Sequence, residues 1–231
     1  MKISNGGFSF ECNSRTEEKR AKTLFTKEPG TIEWLNVHAK PGAVFYDIGA
    51  NIGVYTVVAG VLGAKVHAFE PHKVNASSLR KNIALNGIDA TVHEIALGGY
   101  DGKVTFNYRT MEAGSSGSQA WHTKSEDGVS FQPCLSEVVE MRRLDGMGLE
   151  RPDFIKIDVD GNELEILKAI GNTGAKSIQV EIHPRDDEAI CAYMTSCGYA
   201  LDHRHYTASG KAKLAQGATS VTHNAVFKWI G

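Results

Sequence analysis

The chain has 231 residues, 42% of them hydrophobic and 23% charged, with a formal net charge of -2. That is enough apolar material for the core of one enzyme-sized domain, and the charge is too balanced for a protein that grips nucleic acid through a basic stripe. The four cysteines, Cys12, Cys134, Cys191 and Cys197, have neither C-x-x-C spacing nor the density of a disulfide scaffold, and are expected as free thiols.

At the N-terminus, residues 1–20 lack the apolar segment of a signal peptide. The longest apolar stretch, 55–64, is broken by Gly60 and Gly63 and is too short to cross a bilayer, so a cytoplasmic protein without a membrane partner is expected. The basic cluster at 15–22 is interrupted by Glu17 and Glu18 and reads as a solvated helix face. Residues 1–30 are taken as an extension of a single domain that fills 1–231.

The densest information lies at 44–53, VFYDIGANIG. Val44, Phe45 and Ile48 give strand-forming bulk, Gly49 permits a sharp turn, and Gly53 permits close packing of the following helix. A pyrophosphate-binding turn follows G-x-G-x-x-G, whereas here Asn51 replaces the middle glycine and Asp47 precedes the turn. A carboxylate repels pyrophosphate but suits a ligand with an amino group, a sulfonium and a ribose, which is S-adenosylmethionine. The next strand, 66–70, ends in Glu70 at the interval where a Rossmann-like unit places its ribose-binding acid. Pro71 stops that strand, and a helix over 74–86 ends at Gly87.

Further strands are expected at 91–96, near Val104, and at 137–141, 154–159 and 177–183, with a closing pair at 199–205 and 224–230 joined by a polar hairpin. Leu164, Leu167 and Ile170 mark one later helix, and Ile190, Tyr193, Met194 and Cys197 another. Residues 109–132 have no sustained period and are expected to form a substrate lid, with Trp121 and His122 packing on the acceptor.

The blocks DIGANIGVYT, FEPHKVNASSLRKNIALNG, ALGGYDGKVTF, RRLDGM and DFIKIDVDGNELEILKAIG occur in this order, and with them the chain resembles the FkbM-family methyltransferases from about residue 31 to its C-terminus. The resemblance implies a Rossmann-like seven-stranded class I methyltransferase fold, a mostly parallel sheet with an antiparallel C-terminal strand. It also implies methyl transfer from S-adenosylmethionine, leaving S-adenosylhomocysteine, to a hydroxyl of a sugar, polyketide or related small molecule. The family usually has Glu where Asp160 stands, a change that shortens reach while keeping charge.

The expected cofactor residues are Asp47, Gly49, Asn51, Gly53, Glu70, Pro71, Ala96 and Asp158, with Asp160 and Glu163 toward the acceptor. Ligands of such sheets bind at the carboxyl ends of the strands, so bases for an alcohol are sought among Asp158, Asp160, Glu163, Glu181 and His183. His183 is the first choice because imidazole titrates near neutrality, and Asp158 the second. Asp158, Asp160 and His183 are also chemically competent to share a divalent metal, although their spacing is not diagnostic of one. Three rival readings are a nicotinamide oxidoreductase, which the turn disfavours, an N-methyltransferase, which the DVDGNE block disfavours, and a non-catalytic binder of the same cofactor.

Overall fold

The computed structural model describes residues 1–120, 123, 130–170 and 173–231. Its elements in chain order are β1 (Lys2–Asn5), β2 (Phe8–Glu11), α1 (Arg15–Lys22), α2 (Pro29–His38), β3 (Val44–Ile48), α3 (Val54–Val61), β4 (Lys65–Phe69), α4 (Lys73–Asn86), β5 (Ala90–His93), β6 (Ala96–Leu97), β7 (Gly102–Tyr108), β8 (Gln119–Ala120), β9 (Leu135–Arg142), β10 (Phe154–Ile157), α5 (Glu163–Ile170), β11 (Ser177–Ile182), α6 (Asp187–Ser196), β12 (Tyr199–His205), α7 (Ala208–Ala215) and β13 (His223–Trp229). The main sheet runs β12-β13-β11-β10-β3-β4-β5 and is parallel except for β13, which is antiparallel to both of its neighbours. This is the Rossmann-like seven-stranded arrangement that the resemblance implies.

Every residue of β3 and β10 is buried, as expected of central parallel strands covered on both faces. One face packs on α1 to α4 and the β1/β2 hairpin through Phe10, Leu24, Trp34, Phe45, Val57 and Phe154. The other packs on α5 and α6 through Ile48, Ile155, Ile166, Val180 and Met194. Phe45 and Phe154 stack across β3 and β10 with ring centroids 4.5 Å apart, and Trp34 stands edge-on to both while its Nε1–H donates to Ser177 Oγ at 2.9 Å. Helix α2 thus anchors to the sheet centre, although its sequence prompted no helix; Pro29 at its first turn supplies the preset dihedral of a helix start.

Three expectations are corrected. The strand expected at 91–96 divides: β5 completes the main sheet, and after Glu94 and Ile95 the chain enters a second sheet, β6-β9-β7-β8, where Ala96 pairs with Met141. The connection between β12 and β13 contains α7, because the Thr207 hydroxyl accepts from the Gly210 N–H and caps it, whereas a polar hairpin was expected. The cluster at 15–22 is a helix, but Glu17 and Ala21 are fully buried. Glu17 forms a capping box with Ser14 and accepts from Ser78 Oγ of α4, so this helix is fastened to the core. No helix among the described residues is long and apolar enough to cross a membrane.

Truncating Phe154 to Ala opens a cavity between two buried rings and should cost about 3–5 kcal/mol of unfolding free energy. Urea denaturation checks this, and an unchanged midpoint would remove the ring stack as the anchor of the sheet centre.

Candidate active site

The β3–α3 turn consists of backbone geometry that few residues tolerate. Gly49, Asn51 and Gly53 all have left-handed φ values, 81°, 53° and 84°. Asparagine is among the residues that accept this region. A Cβ on Gly49 would run into the carbonyl oxygen of Asp158, and one on Gly53 into the side chain of Leu79 on α4. Gly49 therefore lets the turn press against the end of β10. Gly53 serves helix packing and does not line the cavity, which corrects its expected cofactor contact.

Beyond this turn lies a cavity of about 280 Å³ at the carboxyl ends of β3, β4, β10 and β11, whose walls include Gly49, Asn51, Glu70, Pro71, Asp158 and Asp160. Glu70 is 6% exposed and accepts from the Asn51 N–H at 2.7 Å and the His72 N–H at 2.9 Å. Burial pushes its carboxyl up to about 7 against the pull of those two donors. Pro71 also borders a narrow adjoining apolar slot with Phe69, Ala96, Phe106 and Val159, so Ala96 faces this slot from the second sheet.

The cavity floor is ionic. Lys156, 1% exposed in its side chain, pairs with Asp158 at 2.7 Å and lies 4.9 Å from the centre of the Tyr55 ring. Burial opposes its charge, yet Asp158, Asp47 and Glu28 outweigh that and hold the ammonium above the ordinary lysine range. Burial likewise opposes ionisation of Asp158, but Lys156 and then Lys27 overcome it and hold this carboxyl below the usual range. A carboxylate stabilised in this way is a weak proton acceptor. Asp47 pairs in register with Lys156, accepts at Oδ2 from the Thr56 hydroxyl at 2.6 Å, and has its carboxyl pushed upward by burial. The structure thus corrects the placement of Asp47: it lies beneath the turn rather than on the cavity wall.

Asp158, Asp160 and His183, the metal set considered from the sequence, do not converge among the described residues. Among the described residues, the acidic oxygens of Glu28, Asp158 and Glu181 approach within 4.8 Å of one another. Lys27 pairs with Glu28 at 2.6 Å, so together with Lys156 it balances this group with fixed cations. His183 instead borders a separate polar cleft with Pro184, Thr207, Lys213 and Val221. The reason is local: β11 ends at Ile182, and a residue before proline is held extended as the chain leaves the strand for the 3-10 turn Pro184–Asp186. Glu163 is also displaced from its expected role. Its carboxylate turns back to accept from Val159 N–H at 3.2 Å and Gly161 N–H at 3.1 Å, and burial pushes it up to about 7.

The described part of the 109–132 segment crosses the cavity. Ser115 O accepts from the side-chain amides of Asn51 (2.7 Å) and Asn75 (3.2 Å), and the Gly114 N–H donates to Asn75 Oδ1. Asp160, itself left-handed with φ 61°, accepts the Gly117 N–H at 2.6 Å and also bonds Gln119 through its carbonyl. Trp121 and His122 lie outside the described residues. The cavity-wall residues that sequence reasoning missed include Arg20, Lys27, His72, Asn75 and Phe106; for Arg20, the S-x-x-E signature at Ser14–Glu17 was the available sign that helix α1 has a fixed position.

A model of the methyltransferase FkbM domain matches residues 47–201. The chain belongs to this family. Hexuronic acid methyltransferase AglP of Haloferax volcanii is 28% identical over 185 residues, covering 78% of this chain and 72% of that one. The 31-O-demethyl-FK506 methyltransferase FkbM of Streptomyces tacrolimicus is 36% identical over 99 residues, which cover 42% of this chain and 37% of that relative. In fold, the chain is similar to TYW2 of P. horikoshii, crystallised in complex with MeSAdo, with a TM-score of 0.55 and 15% identity over 98% of this chain and 69% of that one.

Because the obstacle at Gly49 is a neighbouring carbonyl, Gly49→Val should destabilise the fold by at least about 2 kcal/mol through the left-handed dihedral and the clash together. A wild-type urea midpoint in that variant would contradict the close approach of the turn to Asp158.

Proposed function

We propose that this FkbM-family methyltransferase uses S-adenosylmethionine to methylate a hydroxyl of a small molecule. The observation that carries the reading is Glu70, a buried carboxylate on the cavity wall that holds the left-handed turn through the Asn51 N–H. Its remaining acceptor capacity suits ribose hydroxyls, and the adjoining slot of Phe69, Pro71, Ala96 and Phe106 offers apolar faces to an adenine. The complex of TYW2 with MeSAdo supports the same ligand class for this fold. When bound, S-adenosylmethionine supplies the electrophilic methyl group. The protein then has to align an acceptor oxygen, exclude water and receive a proton.

Asp158, Asp160 and Glu181 are the candidate bases on the wall. Lys156 holds the Asp158 carboxylate ionised and the Gly117 N–H stabilises that of Asp160, while Glu181 lies within 4.8 Å of the carboxylate oxygens of Glu28 and Asp158, and this crowding makes it our choice. A proton taken up at Glu181 relieves the crowding of like charge with Glu28 and Asp158. The curated relatives, one acting on a hexuronic acid and one on 31-O-demethyl-FK506, support an oxygen acceptor in a sugar or polyketide setting. The described part of the 109–120 segment serves in this reading as the lid over the acceptor.

Calorimetric titration with S-adenosylmethionine, with NAD as control, tests the cofactor. Glu70→Ala should weaken binding by about 1–3 kcal/mol, and an unchanged dissociation constant would take Glu70 out of the site. The folded state holds the Glu70 proton more tightly than the unfolded chain, so its ionisation lowers stability as pH rises toward about 7 while creating the full acceptor. Cofactor affinity should therefore increase as pH rises through about 7 and lose this dependence in Glu70→Gln. A pH-independent wild type would contradict that role.

With an accepted alcohol, Glu181→Gln should lower kcat by roughly 10²–10⁴, whereas His183→Ala should stay within about tenfold of wild type. The opposite ranking would return the base to His183.

A further inference from the structure

The cavity wall carries two cations, Arg20 and Lys27, from a segment that lies before the region matched by the family model. Arg20 gives its Nε–H to the Gly114 carbonyl at 2.5 Å, and among the described residues no carboxylate pairs with its guanidinium. Lys27 pairs with Glu28 at 2.6 Å through one donor of an ammonium that has three. The other charged groups on the wall, Glu70, Asp158, Asp160 and Glu181, are acids. Such a wall suits the ammonium and sulfonium of an amino-acid sulfonium ligand, but it would repel the ligand's carboxylate everywhere except beside these two cations.

We propose that Arg20 and Lys27 bind the carboxylate of the methionyl end of the cofactor, so that the N-terminal segment completes the cofactor site. This rests on the reading of the cavity as an S-adenosylmethionine site. Glu70 holds the ribose, the apolar slot takes the adenine, and the remaining wall toward α1 and α2 receives the amino-acid end. Arg20 is also braced for this task. Its Nε–H bond to Gly114 fixes the guanidinium plane and leaves the terminal nitrogens to donate in pairs, the geometry that a carboxylate accepts best.

The test compares two ligands that share the nucleoside and differ in the amino acid, S-adenosylhomocysteine and 5′-methylthioadenosine, titrated calorimetrically into the full chain. In Arg20→Gln and Lys27→Gln, the dissociation constant for S-adenosylhomocysteine should rise about tenfold or more, and that for 5′-methylthioadenosine should change less than about twofold. Retained binding of 5′-methylthioadenosine certifies that each variant is folded, and Arg20→Lys should recover only part of the lost affinity, because it keeps the charge but not the paired donors. Unchanged binding of S-adenosylhomocysteine overturns the proposal. So does an equal loss of both ligands that Arg20→Lys fails to relieve. If the wild type binds neither compound, the nucleoside-site reading falls first and this inference with it; if it binds both and the variants do not discriminate, only the present inference falls.

Discussion

A single buried ammonium organises the centre of this molecule. Lys156 sits in the middle of the sheet with a fully buried side chain, and an isolated charge there would be prohibitively costly. Its surroundings are built to compensate: Asp158 follows just past the end of the same strand, Asp47 is its register partner on β3, and Tyr55 offers a ring face. Glu28 at the start of α2 adds a further negative charge, itself balanced by Lys27. The charge of one core residue thereby fixes the ionisation of the acid on the cavity floor and gives the N-terminal segment an electrostatic reason to dock where it does.

This network explains which parts of the site were readable. The left-handed turn was legible because glycines and an asparagine at set intervals have few other uses, and Glu70 because strand end and interval agree. Asp47 was equally conspicuous in the sequence, but a one-dimensional pattern does not say whether an acid at a strand end looks into a cavity or back toward a buried lysine. The partner that decides the matter, Lys156, lies over a hundred positions later and becomes relevant only through β3–β10 pairing. His183 borders a different cleft for a related reason, since the chain leaves β11 at Ile182 and bends into Pro184, which strand alternation does not reveal.

The fold was legible where periodicity was sustained. Strands β3, β4, β11 and β12 and helix α4 announce themselves through bulk and terminators. The β5–β6 division did not, because a short strand that ends and a neighbouring one that begins after two residues look like one run. Helix α7 is polar, with little of its surface buried, so its identity rests on a threonine cap that a glycine-rich segment disguises. In α1 the alternating charges hid a buried Glu17 whose value comes from Ser78 on a distant helix.

The segment crossing the cavity is held from two sides. Helix α1 and its cap grip it through Ser14 to Ala113, Thr16 to Glu112 and Arg20 to Gly114, while Asn51 in the turn after β3, Asn75 on α4 and Asp160 in the loop after β10 hold it as well. The stretch that carries the family signature is therefore not a self-sufficient module. An excised piece beginning near residue 47 would keep the turn and Glu70 yet surrender half the clasp over them. Whoever transplants this catalytic unit into another chain has to make the splice ahead of the β1/β2 hairpin.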